Sequence, residues 1–277
     1  MRSSQWTNAA YYAGQILLIV VFAFPLLWVL SLSLKTGAET LQSPPTLLPQ
    51  DVQWGNYSRV LQTTPIGRYL VNSLLLVVAS VAGALVVGIP AAYALSRFVF
   101  PRQRVFSRTL LAAQLISPLV IAVPLYRLFV SLHLVNNYLG LVLVYIAIMA
   151  PFLTWFMKSY FDTVPVALDE AGMIDGCSRL RAVIQLVLPT ARPGVASAAI
   201  LGGVTAWSQF AIPFILLDSR DLFPVSVGVV NLQATAGEIT TQYVAAGSIL
   251  AVAPVILLFV VLQRHIVGAL TAGAVKG

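Results

Sequence analysis

Charged residues fall into a few short clusters along the 277-residue chain, and the stretches between them are almost wholly apolar. About 20 consecutive apolar residues suffice to carry an α-helix across the hydrocarbon core of a bilayer. Six windows fit that length: Gly14–Leu34, Tyr69–Leu95, Thr109–Leu132 with Arg127 near one end, Tyr138–Met157, Gly194–Leu217 and Ile239–Gln263. The first lies between Arg2 and Lys35 and exceeds the roughly 7–15 apolar residues of a signal peptide. No clear small-residue cleavage site follows it, so a retained helix is expected. The pattern predicts an all-α integral membrane protein, one domain over 1–277 with six transmembrane helices and both termini on one side.

The Lys and Arg residues set the orientation, because the cytoplasmic loops of membrane proteins carry the excess. With the N-terminus inside, the inner segments hold Arg2, Arg97, Arg102, Arg104, Arg108, Lys158, Arg179, Arg181, Arg192, Arg264 and Lys276. The outer segments hold only Lys35, Arg59, Arg68 and Arg220, joined by Arg127 if it snorkels outward. Both termini are therefore expected in the cytoplasm. The outer loop from Lys35 to Arg68 carries Pro44, Pro45, Pro49, Trp54 and Tyr57, which suit an ordered cap. The inner loop, 158–193, is the most polar part of the chain and holds Asp162, Asp169, Glu170 and Asp175.

Composition narrows the function classes. With 59% apolar residues, 9% charged residues and a mean hydropathy of +0.90, the chain cannot build a water-facing shell, which excludes an ordinary soluble enzyme. A disordered chain is excluded too, since such chains are poor in apolar residues. The net charge of +7 comes from short loops between apolar blocks, so it reads as a topology signal and not as a nucleic-acid surface. Cys177 stands alone, which rules out an intrachain disulfide.

Within the windows, small residues recur every four positions: Ala79, Gly83 and Val87, with Ala84 and Gly88 in the next register, and Ala198, Gly202 and Ala206. Such faces let helix backbones approach closely in lipid. Pro25, Pro90, Pro118, Pro124, Pro151, Pro213 and Pro254 interrupt the spans and are expected to kink them. Buried acids and histidines, the groups that carry protons in ion-coupled carriers, are missing from the spans. His133 and His265 fall on opposite sides of the membrane, no GxxxxGK[ST] phosphate loop occurs, and no catalytic or metal residues are expected. Asn56-Tyr57-Ser58 fits a glycosylation sequon and is read as a chance match.

The inner loop holds the most specific signal. Pro165, with Asp169 and Glu170 shortly after it, is helix-start chemistry. Gly176 suits the left-handed residue that ends a short helix. A second helix from about Ser178 is expected to stop before Pro189. Helix, tight turn, helix makes a rigid projection into the cytoplasm, with Ala171 and Gly172 as a patch nearly bare of side chain. An ordinary amphipathic surface hairpin has the same pattern.

Glu170-Ala171-Gly172, then Asp175-Gly176 and Pro189, resembles the EAA loop of permease subunits in bacterial ABC importers. The resemblance extends over essentially the whole chain and points to the carbohydrate branch, similar to the second maltose-importer permease. Leu48-Pro49, Asn56-Tyr57, Asn72-Ser73, Pro124-Leu125-Tyr126, Trp207 and the terminus 268–277 support it. Within that branch the chain resembles actinobacterial importers of trehalose or amino sugars, such as the mycobacterial Usp-type amino-sugar importers.

This resemblance implies a type I permease fold in the bacterial cytoplasmic (inner) membrane, paired with a different permease subunit. Two cytoplasmic ATPase subunits and an extracytoplasmic sugar-binding protein complete the assembly. ATP and Mg would be bound by the ATPase partner, with no cofactor in this chain. Glu170–Asp175 would form the coupling helix: Glu170 the charged contact, Ala171 and Gly172 the close approach, and Gly176 the turn. The family's C-terminal tail also reaches the ATPase pair, which adds Ala274–Gly277 to the expected contacts. Two departures stand out. Gly172 replaces the second alanine of the motif, loosening the helix by about 1 kcal/mol. Trp207-Ser208-Gln209 replaces a Trp-Asn-acid segment, so no acid is available there for the cargo.

A sugar path needs hydroxyl partners and aromatic faces. Gln114, Ser117, Tyr126, Tyr145, Trp155, Ser208 and Gln209 are the candidates, although helix packing explains each equally well. A permease for glycerol-phosphate compounds is the alternative cargo class. A stand-alone secondary sugar carrier is the alternative mechanism; it accounts for the helices but not for the Glu170–Gly176 loop.

Overall fold

The computed structural model describes residues 3–235 and 241–274, with side chains placed over 11–232 and 241–260. Helices α1 (Ser3–Ser33), α2 (Gly37–Thr40), α3 (Gly55–Thr63), α4 (Ile66–Arg97), α5 (Gln103–Ala113), α6 (Pro118–Ser131) and α7 (Tyr138–Phe161) make up the first half. Then come α8 (Ala167–Ile174), α9 (Arg179–Ala182), a π-helical turn (Val183–Val187), α10 (Leu188–Thr190), α11 (Arg192–Trp207), α12 (Ala211–Leu216), α13 (Val225–Thr235) and α14 (Thr241–Ala274). No strand occurs among the described residues.

Four helices are long and apolar enough to cross a membrane singly: Tyr11–Ser33, Ile66–Arg97, Tyr138–Phe161 and Thr241–Val260. The other two expected spans are broken. In place of one helix over 109–132, α5 and α6 meet at 93°, with Gln114–Ser117 between them. Ser117 caps α6 by accepting from the Leu119 amide, and Pro118 follows at its first turn, where a missing N–H costs nothing. The span expected over 194–217 ends at Trp207 and resumes as α12. Its entry is bent as well, with Arg179–Thr190 meeting Arg192–Trp207 at 77°. Helices α1, α4, α6, α7 and α14 continue through Pro25, Pro90, Pro124, Pro151 and Pro254. Residue 239, the expected start of the last span, lies outside the described residues, as do 275–277 of the tail.

The chain divides into two compact units. One comprises residues 1–67 and 228–253. Its α1 exposes Ile16, Leu17, Phe22 and Leu27 on all sides, as a lipid-facing helix does. The expected outer cap is ordered by buried polar groups. Lys35 lies 5.0 Å from the Trp28 ring centre and donates to the Thr46 carbonyl. Glu39 accepts from Thr46 Oγ1 at 2.8 Å and from the Gln50 amide at 3.0 Å. Asn56 donates to the carbonyls of Ser33 and Lys35, both at 2.9 Å. Its amide is therefore buried and fully engaged, so the sequon is not a modification site.

The second unit comprises 68–227 and 254–277, and α7 is its axis. The small-residue faces do what lipid-phase packing requires. A Cβ on Gly83 of α4 would stand 2.3 Å from Ile146 Cδ1 of α7, and one on Gly202 of α11 would touch both Leu153 and Val81. Helices α5, α11 and α12 also pack on α7, and α12 packs on α6. At one end Asn72 donates to the Asp221 carbonyl (2.8 Å) and the Phe223 carbonyl (3.0 Å), and Ser73 accepts from the Val225 amide. At the other end α4 and α7 meet the hairpin α8–α9.

Candidate coupling hairpin and translocation residues

Local rules build the hairpin much as the sequence suggests. Pro165 precedes α8, and Asp169 and Glu170 occupy its first turn, where carboxylates favour the helix dipole. The helix closes in a Schellman motif: Cys177 N–H donates to the Gly172 carbonyl (2.9 Å) and Gly176 N–H to the Met173 carbonyl (3.1 Å). Gly176 supplies the left-handed residue that this closure needs, at φ +82°. Ser178 then caps α9 by accepting from the Arg181 amide. The second arm does not stop before Pro189, as expected, but runs through it to Thr190. The π-turn makes this possible: the Leu188 amide reaches back five residues to Val183, widening the helix ahead of the proline ring.

The arms pack on each other, which decides which residues face outward. Glu170, Ala171, Asp175 and Gly176 are exposed, and among the described residues no cation pairs with Glu170. Gly172 is the exception to the expected bare patch. It is buried against the second arm, and a Cβ there would lie 2.6 Å from Leu186 Cδ1 and 3.1 Å from Ala182 Cβ. Its lack of a side chain serves the hairpin's own packing. Of that pair, only Ala171 is exposed.

Asp169 is the residue that sequence reasoning undervalued. Its side chain is 7% exposed and pairs at 2.8 Å with Arg97, 5% exposed, on the last turn of α4. Tyr93 donates its hydroxyl to the other carboxylate oxygen at 2.7 Å. The Arg97 guanidinium also donates to Ser96 Oγ (3.2 Å), the Phe161 carbonyl (3.1 Å) and the Val164 carbonyl (2.9 Å). A pair this dry is a poor source of net stability, but removing one partner strands the other charge at about 3–5 kcal/mol. The second arm is held at the same place, with Arg179 stacked 4.9 Å from the Phe98 ring centre. Nothing local could have revealed these contacts, since Arg97 is 72 residues from Asp169.

The candidate cargo residues do not all converge. Tyr145 of α7 and Gln209, past the end of α11, line one small cavity with Ile148, Met149, Thr205 and Ala206. It has room for about one water molecule. Ser208 is adjacent and donates to the Thr205 carbonyl, and Ser226 donates to the Gln209 carbonyl. Gln114 and Ser117 are exposed at the break between α5 and α6. Tyr126 and Trp155 are also exposed, and neither lines that cavity. No group of three His, Cys, Asp or Glu side chains that could hold a metal comes together among the described residues.

Long apolar helices and an exposed helical hairpin are features of an importer's membrane subunit, and similarity to known proteins identifies the family. Residues 84–271 match the family described as "Binding-protein-dependent transport system inner membrane component". The chain belongs to this family, the permease subunits of ABC importers. It is 34% identical to the diacetylchitobiose uptake permease NgcG of Streptomyces coelicolor, over 97% of this chain and 89% of that one. It is 32% identical to the sulfoquinovosyl glycerol permease SmoH of Agrobacterium fabrum, over 94% and 91%. It is 31% identical to the trehalose/maltose permease MalG of Thermococcus litoralis, over the full length of both. The fold matches a chain of a bacterial ABC transporter that imports the acidic polysaccharide alginate, with a TM-score of 0.83, 22% identity and coverage of 95% and 98%. The carbohydrate permeases named here are thus what the chain is similar to, as the whole-chain resemblance implied.

Proposed function

We propose that this chain is the membrane subunit of an importer that carries a carbohydrate into the cytoplasm, driven by a separate ATPase that docks on α8. The hairpin carries the reading. Glu170, Ala171, Asp175 and Gly176 are presented outward on a helix closed by a Schellman turn, while Asp169 and Gly172 anchor its inner face. Such an element moves as a unit when its outer face is pushed. The carbohydrate cargo rests on the relatives, whose names specify diacetylchitobiose, sulfoquinovosyl glycerol, trehalose and maltose.

The positive-inside rule puts the hairpin, with both termini, in the cytoplasm. Two ATPase subunits, a second permease subunit and an extracytoplasmic sugar-binding protein complete the machine. ATP and Mg are held by the ATPase pair. When the ATPases close on ATP, their grooves carry α8 with them, and the bundle rocks from inward-open to outward-open to receive sugar. Hydrolysis restores the inward state. Tyr145, Ser208 and Gln209 form the best-supported part of the cargo path, because two of them already share a cavity and Ser208 adjoins it. Gln114, Ser117, Tyr126 and Trp155 contribute only if the outward-open state brings them to it.

The test is affinity purification of the chain from native membranes in mild detergent, with companions identified by mass spectrometry. Recovery of a second permease, an ATPase and a lipid-anchored or soluble binding protein is expected, and that binding protein is then screened against sugars. A chain that emerges alone, even after cross-linking, refutes the reading.

A further inference from the structure

From the geometry at the end of α4, we infer that Arg97 is a positioning residue for energy coupling: it is the joint through which movement of α8 reaches the transmembrane helices. The inference rests on the proposal that α8 is the ATPase-docking helix. Three elements converge on this one guanidinium. Arg97 belongs to α4, its Nε–H binds Asp169 of α8 (2.8 Å), and its terminal nitrogens bind the carbonyls of Phe161 and Val164, where α7 ends. The adjoining Phe98 takes the second arm of the hairpin through Arg179. The transmission therefore runs through α4 and α7 together.

The chemistry is specific to arginine. A planar guanidinium offers five N–H donors in a fixed fork, and four contacts here are made in different directions. A lysine at this position keeps the charge and the attraction to Asp169, but one ammonium cannot also hold Phe161 and Val164. With lysine the hairpin stays docked on its ion pair and slips relative to α7. Charge is thereby separated from rigidity.

The test uses the assembled complex in proteoliposomes, with a photocrosslinker attached at Ile174→Cys, an exposed position of α8 outside the docking residues named above, reporting contact between α8 and the ATPase. In the Arg97 background, the crosslink to the ATPase is expected; its absence refutes the docking proposal and leaves the Arg97 inference without a basis. With Arg97→Lys, the crosslink is expected to persist while sugar uptake falls about tenfold, the scale of one charge-assisted hydrogen bond. ATP consumed per sugar then rises by a similar factor. A persisting crosslink with uptake within about twofold of the parent refutes the inference. So does an equal fall in uptake and hydrolysis, which is what a merely structural residue produces. If Arg97→Lys does not accumulate, Tyr93→Phe decides: it removes one hydrogen bond to Asp169 and leaves the ion pair. Its ATP-to-sugar ratio is expected to rise about two- to fivefold, and an unchanged ratio overturns the joint.

Discussion

Replacing Gly176 isolates the contribution of one backbone angle to coupling. The residue sits at φ +82°, and an added Cβ would meet nothing within 4 Å. No clash or cavity within the chain complicates the substitution, so its cost to the hairpin itself is conformational. For an L-residue the left-handed region costs about 1–2 kcal/mol, and a β-branched residue sits at the unfavourable extreme. That is roughly a 5–30-fold shift in the ratio of closed to open turn. Because Asp169 anchors α8 from behind, the disturbance falls on the Ser178–Ala182 arm and on the two bonds of the Schellman closure. Asparagine tolerates this region several-fold better than most residues. The predicted order of uptake is therefore Gly, then Gly176→Asn, then Gly176→Ala, then Gly176→Val, measured as sugar transported per ATP in proteoliposomes at matched protein abundance. If Gly176→Val transports at the parental ratio, the turn is not part of the coupling path.

Three further outcomes follow from the packing. Gly194→Ala would place its methyl 2.5–2.7 Å from the Tyr160 ring, so a loss of about 1–3 kcal/mol is expected, seen as a lower thermal-inactivation midpoint in detergent; an unchanged midpoint would refute that contact. Asn72→Ala strands the carbonyls of Asp221 and Phe223 and should cost about 1–3 kcal/mol, read in the same assay, with a shift below the assay's error counting against it. Lys158→Ala removes an exposed pair with Asp162, spaced four residues along the helix, and should change stability by less than about 0.5 kcal/mol, so a large loss would show that the pair does more than its exposure suggests.

The spans were legible where one apolar helix crosses uninterrupted, as in α1, α4, α7 and α14. The breaks were not, because hydropathy reports partitioning and not direction. Leu115 and Ile116 read as part of a continuous span, and they stand where the chain turns by 93°. The hairpin was legible because Pro165, Asp169, Glu170 and Gly176 act through rules that reach only a few residues. The orientation of Gly172 was half-legible: Asp169 and Gly172 are three apart, so they share a face, but which face turns inward depends on the second arm. Arg97 was hidden for a different reason. It looked like one more inner-loop cation counted for topology, and its partners at Phe161, Val164 and Asp169 are brought to it only by the fold.

The break between α5 and α6 separates what composition encodes from what packing decides. The α5–α6 pair passes as a single apolar segment by composition, and composition is what hydropathy senses. At the break the amides of Gln114, Leu115 and Ile116 close back on the carbonyls of Leu111, Ala112 and Ala113 in tight turns, and irregular backbone of this kind is tolerated at membrane depth only where protein or a water-filled cavity covers it. The 93° bend is held by distant parts of the chain, α5 against α7 and α6 against α12. A segment that is one apolar stretch to the lipid is thus two helices only in the company of the rest of the fold.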